Sequence, residues 1–220
     1  MSTLRAGRDP GRPPPSLPGF EHIQRFWDAE HGCWSLKILP GEYYVTRADE
    51  AVSTVLGSCV SACVRDPQRS IGGINHFLLP VEGVAEATQP DSQQRLVTRY
   101  GTHAMASLID TLVGLGARRE RLEVKVFGGG RILAGMTDIG ASNIAFVRRY
   151  LAAEGLHIAA EDLGGTQPRK IVYFPLSGRV RLKRLRSVES RIVSHHEQLY
   201  LESLREAARR EALGTDPGDV

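Results

Sequence analysis

The chain has 220 residues, a formal net charge of +3 and a hydrophobic fraction of 41%. These values suit a single domain with a substantial core. Three cysteines, an odd number, exclude a simple disulfide framework, and no apolar run approaches the length of a membrane span. We therefore expect a cytoplasmic protein with reduced thiols and no membrane insertion.

The first 38 residues precede the strongest strand and helix patterns. Residues 1–19 are rich in Pro, Gly and Arg and lack apolar periodicity, which predicts a disordered lead. Residues 20–38 contain Phe26, Trp27 and Trp34 and are interpreted as an N-terminal extension with enough aromatic surface to dock on another surface.

Short strands dominate the first part of the expected core. The stretch GEYYVT at residues 41–46 predicts one strand, and residues 51–56 predict a second. Residues 60–65 and 70–80 predict the two arms of a β-hairpin, because the Asp-Pro dipeptide between them favours a turn.

Two helices and further strands follow along the chain. Apolar residues recur every fourth position over residues 93–115, which predicts a helix, and residues 142–155 predict another helix with Ser142 as its N-cap. Strands are expected at residues 122–127, 157–162, 170–174 and 180–185.

The C-terminal segment, residues 187–220, is expected to be an amphipathic helix followed by a tail. Ile192, Leu199 and Leu204 would form the apolar side of this helix. Strands outnumber helices, and hairpins outnumber β-α-β crossovers. This order predicts an α+β fold in which mixed or antiparallel sheets pack with helices in a layered sandwich, with the core domain over residues 39–186.

Several positive charges cluster in residues 179–191, with the sequence RVRLKRLRSVESR. Such a strip can attract nucleic acid or anionic lipid, but it is also typical of a solvated strand face. No nucleic-acid-binding motif accompanies it, so we expect no nucleic-acid partner, with a polyanion-binding module as the alternative.

The stretch LGSCVSACVRD at residues 56–66 places two cysteines four positions apart. If the hairpin turn is centred on residues 67 and 68, Cys59 lies directly opposite His76, with Cβ atoms about 4.5–5.5 Å apart. A neighbouring imidazole lowers the pKa of a thiol and relays its proton, as nucleophilic catalysis requires. This pairing is conditional, because a slip of one residue sends the two side chains to opposite faces.

The residues before Cys59 support the same chemistry. Gly57 and Ser58 are small enough to admit a substrate, and nearby backbone N–H groups are candidates for an oxyanion hole. A third group is needed to orient the imidazole. Ser53, which has the same strand parity as Cys59, is the first candidate, and Thr54 is the alternative.

Core packing is the competing interpretation of these residues. Cysteine is among the most buried residue types, and VSACV is typical of a core strand, so Cys59 and His76 would then be structural. For Cys63 packing is the favoured role. The cysteine spacing is unlike that of a zinc site and no second pair completes four ligands, so we expect no metal and no cofactor.

Three glycines, residues 128–130, follow a predicted strand. Neither a phosphate-loop Lys-Ser/Thr nor a dinucleotide fingerprint accompanies them, so they are interpreted as a tight turn near the site. Asp138 and Asn143 are interpreted as turn and cap residues of the following loop.

Several separate motifs resemble those of the CheD family of chemoreceptor glutamine deamidases. In family order they are LPGEYYVT, TVLGSCVSACVRDP, IGGINHFLLP, KVFGGG and DIGASNI, and later DLGG, RKIVYF and SGRV. Together they span about residues 39–185, nearly the whole expected core.

This resemblance implies a cysteine hydrolase with a fold similar to toxin-type cysteine deamidases. It implies that Cys59 is the nucleophile, that His76 is the general base and acid, and that Ser53 is the hydroxyl that orients His76, where other members carry threonine. The implied reaction is hydrolysis of a glutamine side-chain amide through a thioester, without a cofactor.

The implied substrates are glutamines on the cytoplasmic helices of methyl-accepting chemotaxis receptors. A CheC-type phosphatase, which some members of the family bind, is a second implied partner. An adaptor that binds receptors or this phosphatase without catalysis is the alternative function.

Overall fold

The computed structural model describes residues 11–79, 90–132 and 138–212. Within these ranges, ten strands form two five-stranded sheets, accompanied by three α-helices. The first sheet has the spatial order β1 (Arg25–Asp28), β2 (Cys33–Lys37), β4 (Glu50–Leu56), β9 (Arg169–Phe174) and β10 (Arg179–Arg184). The second has the order β3 (Tyr43–Thr46), β6 (Ile71–Asn75), β5 (Val60–Asp66), β7 (Glu123–Gly128) and β8 (Ile158–Leu163). The helices are α1 (Pro90–Gly114), α2 (Ile139–Ala153) and α3 (Ser187–Ala212).

Most neighbouring strands are antiparallel, but β2 runs parallel to β4 and β7 runs parallel to β8. Helices α1 and α2 cover one face of the second sheet, and the other face packs against the first sheet. Fully buried apolar residues from both sheets and from these helices belong to one continuous core, including Leu36, Val52, Val60, Val64, Leu108, Ile109, Val147 and Ile171. The predicted α+β layered fold is confirmed.

Residues 20–38 contribute directly to the first sheet. Strands β1 and β2 form a hairpin in which Trp27 lies opposite Trp34, with ring centroids 6.0 Å apart. Strand β2 then pairs with the central part of the sheet, where Leu36 lies beside Val52 of β4. The two tryptophans thus pair with each other inside the sheet hairpin.

The lead predicted over residues 1–19 lies partly outside the described residues, since these begin at residue 11. Residues 11–19 form no helix or strand. They nevertheless contact the first sheet, because Arg25 donates hydrogen bonds to the carbonyl of Pro14 and to the hydroxyl of Ser16.

Several element ends differ from the sequence predictions. Helix α1 begins at Pro90, and the second arm of the β5–β6 hairpin ends at Asn75 rather than at residue 80. The N-cap of α2 is Asp138, whose carboxylate accepts a hydrogen bond from the Ala141 amide. Ser142 lies inside the first turn of that helix, so the N-cap prediction for it was wrong, and Asp138, one of the two residues interpreted as turn and cap residues of a loop, caps the helix instead.

The buried side of helix α3 includes only one of the three residues predicted for it, Leu204, which packs partly buried against the core. Ile192 and Leu199 are 57% and 51% exposed, whereas Leu201 is completely buried in the core. Glu197 lies on the same buried side as Leu201 and is only 2% exposed. None of the helices within the described residues is long and apolar enough to cross a membrane.

The basic strip follows the edge strand β10. Arg179 and Arg181 are exposed, and the intervening Val180 is partly buried, as expected for a strand with one solvated face. Arg179 also stacks over the Phe174 ring at 4.3 Å from its centroid. Exposed charges on an edge strand oppose pairing with the edges of other sheets.

Asp66, at the end of β5, is a buried carboxylate that ties the β5–β6 hairpin to the segment before β7. Burial alone would raise its pKa, but hydrogen bonds from Arg121 and from the Arg118 and Gln68 amides lower that pKa to about 2. The carboxylate therefore stabilises the fold above the unfolded-state pKa of about 3.9, and this contribution is lost as the pH falls towards 2.

We expect Asp66→Asn to lower the free energy of unfolding by about 3 kcal/mol, because it leaves the Arg121 charge without its buried partner. Urea denaturation near neutral pH would measure this loss, and the difference from the unmodified protein should shrink below pH ~4. Asp110→Asn is the control, since its ion pair with Arg119 is 64% exposed at the carboxylate and should contribute less than about 1 kcal/mol. Equal losses in the two variants would contradict this account.

Candidate active site

Residues 57–59 form the connection from β4 in the first sheet to β5 in the second sheet, and we call them the Cys59 loop. Its three carbonyl groups are all held by hydrogen bonds from other segments. The Gly130 amide donates to the Gly57 carbonyl at 2.6 Å, and the Gly129 amide donates to the Cys59 carbonyl at 2.7 Å. The Ser58 carbonyl accepts a bond of 2.8 Å from the side-chain amide of Asn143. With every carbonyl engaged, the loop has a defined backbone orientation.

The glycines at the end of β7 and just after it are required for this arrangement. Gly128 has a φ of +112°, and a Cβ on it would lie 2.1 Å from the Cys59 carbonyl oxygen. No larger residue fits there, and the predicted position of these glycines near the site is confirmed, although the Gly129 and Gly130 amides bond to the Cys59 loop and close no tight turn.

Asn143 connects two segments of the candidate site, in addition to the loop-holding role suggested by the sequence. Its side chain is completely buried, and besides contacting Ser58 it accepts a hydrogen bond of 2.9 Å from the Leu79 amide. It thus joins the Cys59 loop to the segment that follows His76.

His76 directly follows β6 and is brought close to Cys59, although the register differs from the prediction. Cys63 lies opposite Ile74, and Val60 bridges to Phe77, so Cys59 is not directly opposite His76. The four-residue connection 67–70 shifts the pairing by two positions. Because this shift is an even number, the side chains of Cys59 and His76 remain on the same face. The sulfur of Cys59 and a ring nitrogen of His76 lie within 4.8 Å.

Thr54, not Ser53, contacts the imidazole. The Thr54 hydroxyl lies 2.7 Å from Nδ1 of His76, whereas the Ser53 hydroxyl donates to the Leu36 carbonyl at 3.1 Å. The hydrogen bond first expected of Ser53 is therefore made by its neighbour, the alternative candidate.

The hydrogen bonds of Thr54 also determine the tautomer of His76. The Thr54 hydroxyl donates to the Ile38 carbonyl at 3.0 Å, and a hydroxyl has only one proton to donate. It must then accept from Nδ1–H of His76, which leaves Nε2 without a proton. Among the described residues, Nε2 has no hydrogen-bond partner, so it is free to act as a base.

A fourth side chain, which the sequence analysis did not identify, completes the cluster. The carboxylate of Glu197 on α3 accepts bonds from the amides of Gly57, Ser58 and Cys59 at 2.8, 2.7 and 3.2 Å. The Ser58 hydroxyl donates to the same carboxylate at 2.6 Å. All the N–H groups of the Cys59 loop therefore converge on one anion.

Burial and the nearby anion determine the protonation states of the pair. Burial raises the pKa of the Cys59 thiol well above its usual value, and the negative charge of Glu197 raises it further. Burial, with a smaller effect from Lys37, lowers the pKa of His76 to about 3. In this arrangement the thiol and the imidazole are both neutral near pH 7.

The cluster of Cys59, His76 and Glu197 has the residue types of a metal site, and its ligand atoms lie within 4.8 Å of one another. The hydrogen-bond donors around the cluster favour the binding of an anion over that of a metal cation. Three backbone amides and one hydroxyl direct their protons at the Glu197 carboxylate, which uses both oxygens to accept them. The same array of donors suits a negatively charged oxygen that forms during a reaction.

Cys63 takes no part in this cluster. It is 1% exposed within the hydrophobic core, which confirms the packing role predicted for it. All three cysteines are free thiols. His195 and His196 on α3 are exposed to solvent.

Comparison with known proteins identifies one family. The sequence profile described as "CheD chemotactic sensory transduction" matches residues 78–184. A protein of Halorhodospira halophila named "Probable chemoreceptor glutamine deamidase CheD" is 51% identical over 193 residues, which cover 88% of this chain and 89% of that protein. A protein of the same name from Hahella chejuensis is 47% identical over 199 residues, covering 90% of this chain and 93% of that protein.

Proposed function

The chain belongs to the CheD family, and from this we propose that it is a glutamine deamidase of bacterial chemotaxis that acts on chemoreceptors. The reaction hydrolyses the side-chain amide of glutamine to a carboxylate and releases ammonia. The observation that carries the proposal is the juxtaposition of a thiol, an unprotonated imidazole nitrogen and a cradle of backbone amides at the Cys59 loop.

In the first step, Nε2 of His76 accepts the Cys59 thiol proton while the sulfur attacks the carbon of the substrate carboxamide. The Thr54 hydroxyl keeps the other ring nitrogen protonated and the ring in place. The tetrahedral intermediate carries a negative oxygen, and amides of the Cys59 loop are proposed to stabilise it. Substrate must displace the Glu197 carboxylate to reach these amides.

In the second step, His76 returns the proton to the departing nitrogen, so that ammonia leaves and a thioester to Cys59 remains. Water then attacks the thioester with His76 as the base. This step releases glutamate and restores the thiol. No step needs a metal or another cofactor.

Three finer points are part of the proposal. The target glutamines lie on the cytoplasmic helices of methyl-accepting receptors, and the protein acts in the cytoplasm, where thiols stay reduced. A CheC-type phosphatase is a second partner, supported by the family resemblance alone.

The direct test is incubation of the purified chain with a cytoplasmic fragment of a receptor from the same genome. We expect glutamine residues of the fragment to become glutamates. Peptide mass spectrometry in heavy-oxygen water would detect this, because hydrolysis places one solvent oxygen in each new carboxylate. Binding of the fragment without any conversion would contradict the proposal and support the non-catalytic adaptor.

A further inference from the structure

The catalytic pair is sealed from solvent in this structure. Cys59 is 0% exposed and His76 is 2% exposed, so a glutamine of another protein cannot reach the sulfur in this arrangement. Helix α3 forms part of the cover. Its Leu201 is inserted into the core, and its Tyr200 lies so close to Gly41 that a Cβ there would be 2.4 Å from the tyrosine hydroxyl.

The contact between α3 and the site is made by a side chain of a particular chemistry. Glu197 is a glutamate side chain carried by a helix, and glutamate is the product of glutamine deamidation. One of its oxygens accepts the amides of Gly57 and Cys59, and the other accepts the amide and hydroxyl of Ser58. The carboxylate therefore occupies the donors proposed to bind the oxygen of a substrate carboxamide.

The surroundings of Glu197 distinguish this contact from an ordinary buried ion pair. Buried carboxylates are usually paired with a cation, but the hydrogen-bond donors that the structure gives for Glu197 are backbone amides, the Ser58 hydroxyl and the Cys59 thiol, all of them neutral. The carboxamide oxygen of a glutamine could accept the two amide bonds now made to one oxygen of Glu197, at a smaller desolvation cost than a carboxylate.

We propose that α3 is the chain's own ligand for the glutamine-binding site: Glu197 occupies the site as a tethered product, and a substrate helix binds by displacing α3. This inference rests on the proposed deamidase function. It implies that residues 57–59 recognise a glutamine or glutamate side chain that is presented from a helix. It also implies that α3 competes with every substrate at the high effective concentration of a tethered group.

While α3 is docked, the charge of Glu197 opposes the reaction of Cys59, as the bulk of its side chain does. With α3 in place, the carboxylate disfavours the Cys59 thiolate and blocks the donors that would stabilise the intermediate. Departure of α3 removes both effects together. With α3 docked, the protein is thus in a resting form in which the Cys59 thiol is protected from oxidants and alkylating reagents.

The first experiment compares the full-length chain with its Glu197→Ala variant. We expect Cys59 in the variant to react with iodoacetamide at least about 10-fold faster, and the receptor fragment to be deamidated faster at subsaturating concentration. Glu202→Ala is the matched control, because Glu202 is an exposed acidic residue of the same helix, and it should change neither rate. An unchanged alkylation rate in Glu197→Ala would overturn the inference.

The second experiment uses Glu197→Gln, which supplies a substrate side chain at the same position. We expect the introduced glutamine to be hydrolysed back to glutamate within the same chain, independently of protein concentration, as measured by peptide mass spectrometry. The double variant Glu197→Gln, Cys59→Ala should keep its glutamine. If the glutamine at position 197 persists in a chain able to deamidate the receptor fragment, α3 does not occupy the substrate position.

These results separate the inference from the function on which it rests. If Glu197→Ala accelerates alkylation but neither the unmodified chain nor the variant converts receptor glutamines, the cover by α3 stands and the deamidase function fails. If receptor glutamines are converted and Glu197→Ala lowers kcat instead of raising the rate, Glu197 belongs to the catalytic machinery and the inference fails.

Discussion

Replacement of Cys59 by alanine is expected to reduce deamidation of a receptor fragment by at least about 10⁴-fold. The thiol is the only group in the cluster that can form the thioester, because His76 acts as a base and Glu197 is an anion held by the amides of the Cys59 loop. Conversion would be followed by peptide mass spectrometry over a time long enough to detect the residual rate.

Cys63→Ala is the matched control for this loss. Cys63 is buried in β5, the strand that directly follows Cys59. The substitution therefore removes a thiol of equal size and should lower the free energy of unfolding by about 1–2 kcal/mol. Deamidation by Cys63→Ala should remain close to that of the unmodified chain. Conversion that persists in Cys59→Ala, or that is lost only in Cys63→Ala, would contradict the assignment of the nucleophile.

The proximity of Cys59 to His76 could be predicted from the sequence because it depends on a local hairpin. The predicted pairing was shifted by two positions from the real one, yet the inference about the shared face survives since side-chain direction repeats every second residue. The exact opposition was wrong, and proximity instead arises because Cys59 lies in the loop before β5 and His76 lies just after β6.

The choice between Ser53 and Thr54 could not be made by counting along the strand. Parity along β4 ends where the strand ends at Leu56, and Cys59 lies in a loop that leaves β4 and crosses to the other sheet. In β4, Thr54 faces the gap between the sheets, where His76 lies, whereas the hydroxyl of Ser53 bonds to the neighbouring strand β2.

Glu197 illustrates a different limit of sequence reasoning. The helix over residues 187–212 was correctly predicted, but its buried side was assigned from Ile192, Leu199 and Leu204, of which only Leu204 packs against the core. A hydrophobic pattern cannot identify a carboxylate on a buried side, because the amides that stabilise it lie 140 positions earlier in the chain, at Gly57 and its neighbours. The first-sheet strands β1 and β2 were missed for a similar reason, since they are short and β2 pairs with the distant β4.

Removal of the Thr54 hydroxyl is expected to damage the chemistry through its effect on His76. Thr54→Val keeps the shape of the side chain but leaves Nδ1 of His76 and the Ile38 carbonyl without their common partner. The imidazole can then rotate or take the other tautomer, in which Nε2 is protonated and cannot accept the thiol proton. We expect kcat to fall on the order of 10²-fold, with little change in KM, because Thr54 positions the base and does not contact the substrate.

Two further variants complete this test. Thr54→Ser restores the hydroxyl and should recover most of kcat, whereas Ser53→Ala, which removes a hydroxyl bonded to the Leu36 carbonyl, should leave kcat within about 3-fold of the unmodified chain.

Nitrogen NMR of the imidazole should show Nδ1 protonated in the unmodified chain and in Thr54→Ser, and a mixture of tautomers in Thr54→Val. Thermal unfolding identifies any part of the loss that comes from the unpaired groups in Thr54→Val, for which about 1–3 kcal/mol is expected. A larger fall in kcat for Ser53→Ala than for Thr54→Val would return the orienting role to Ser53.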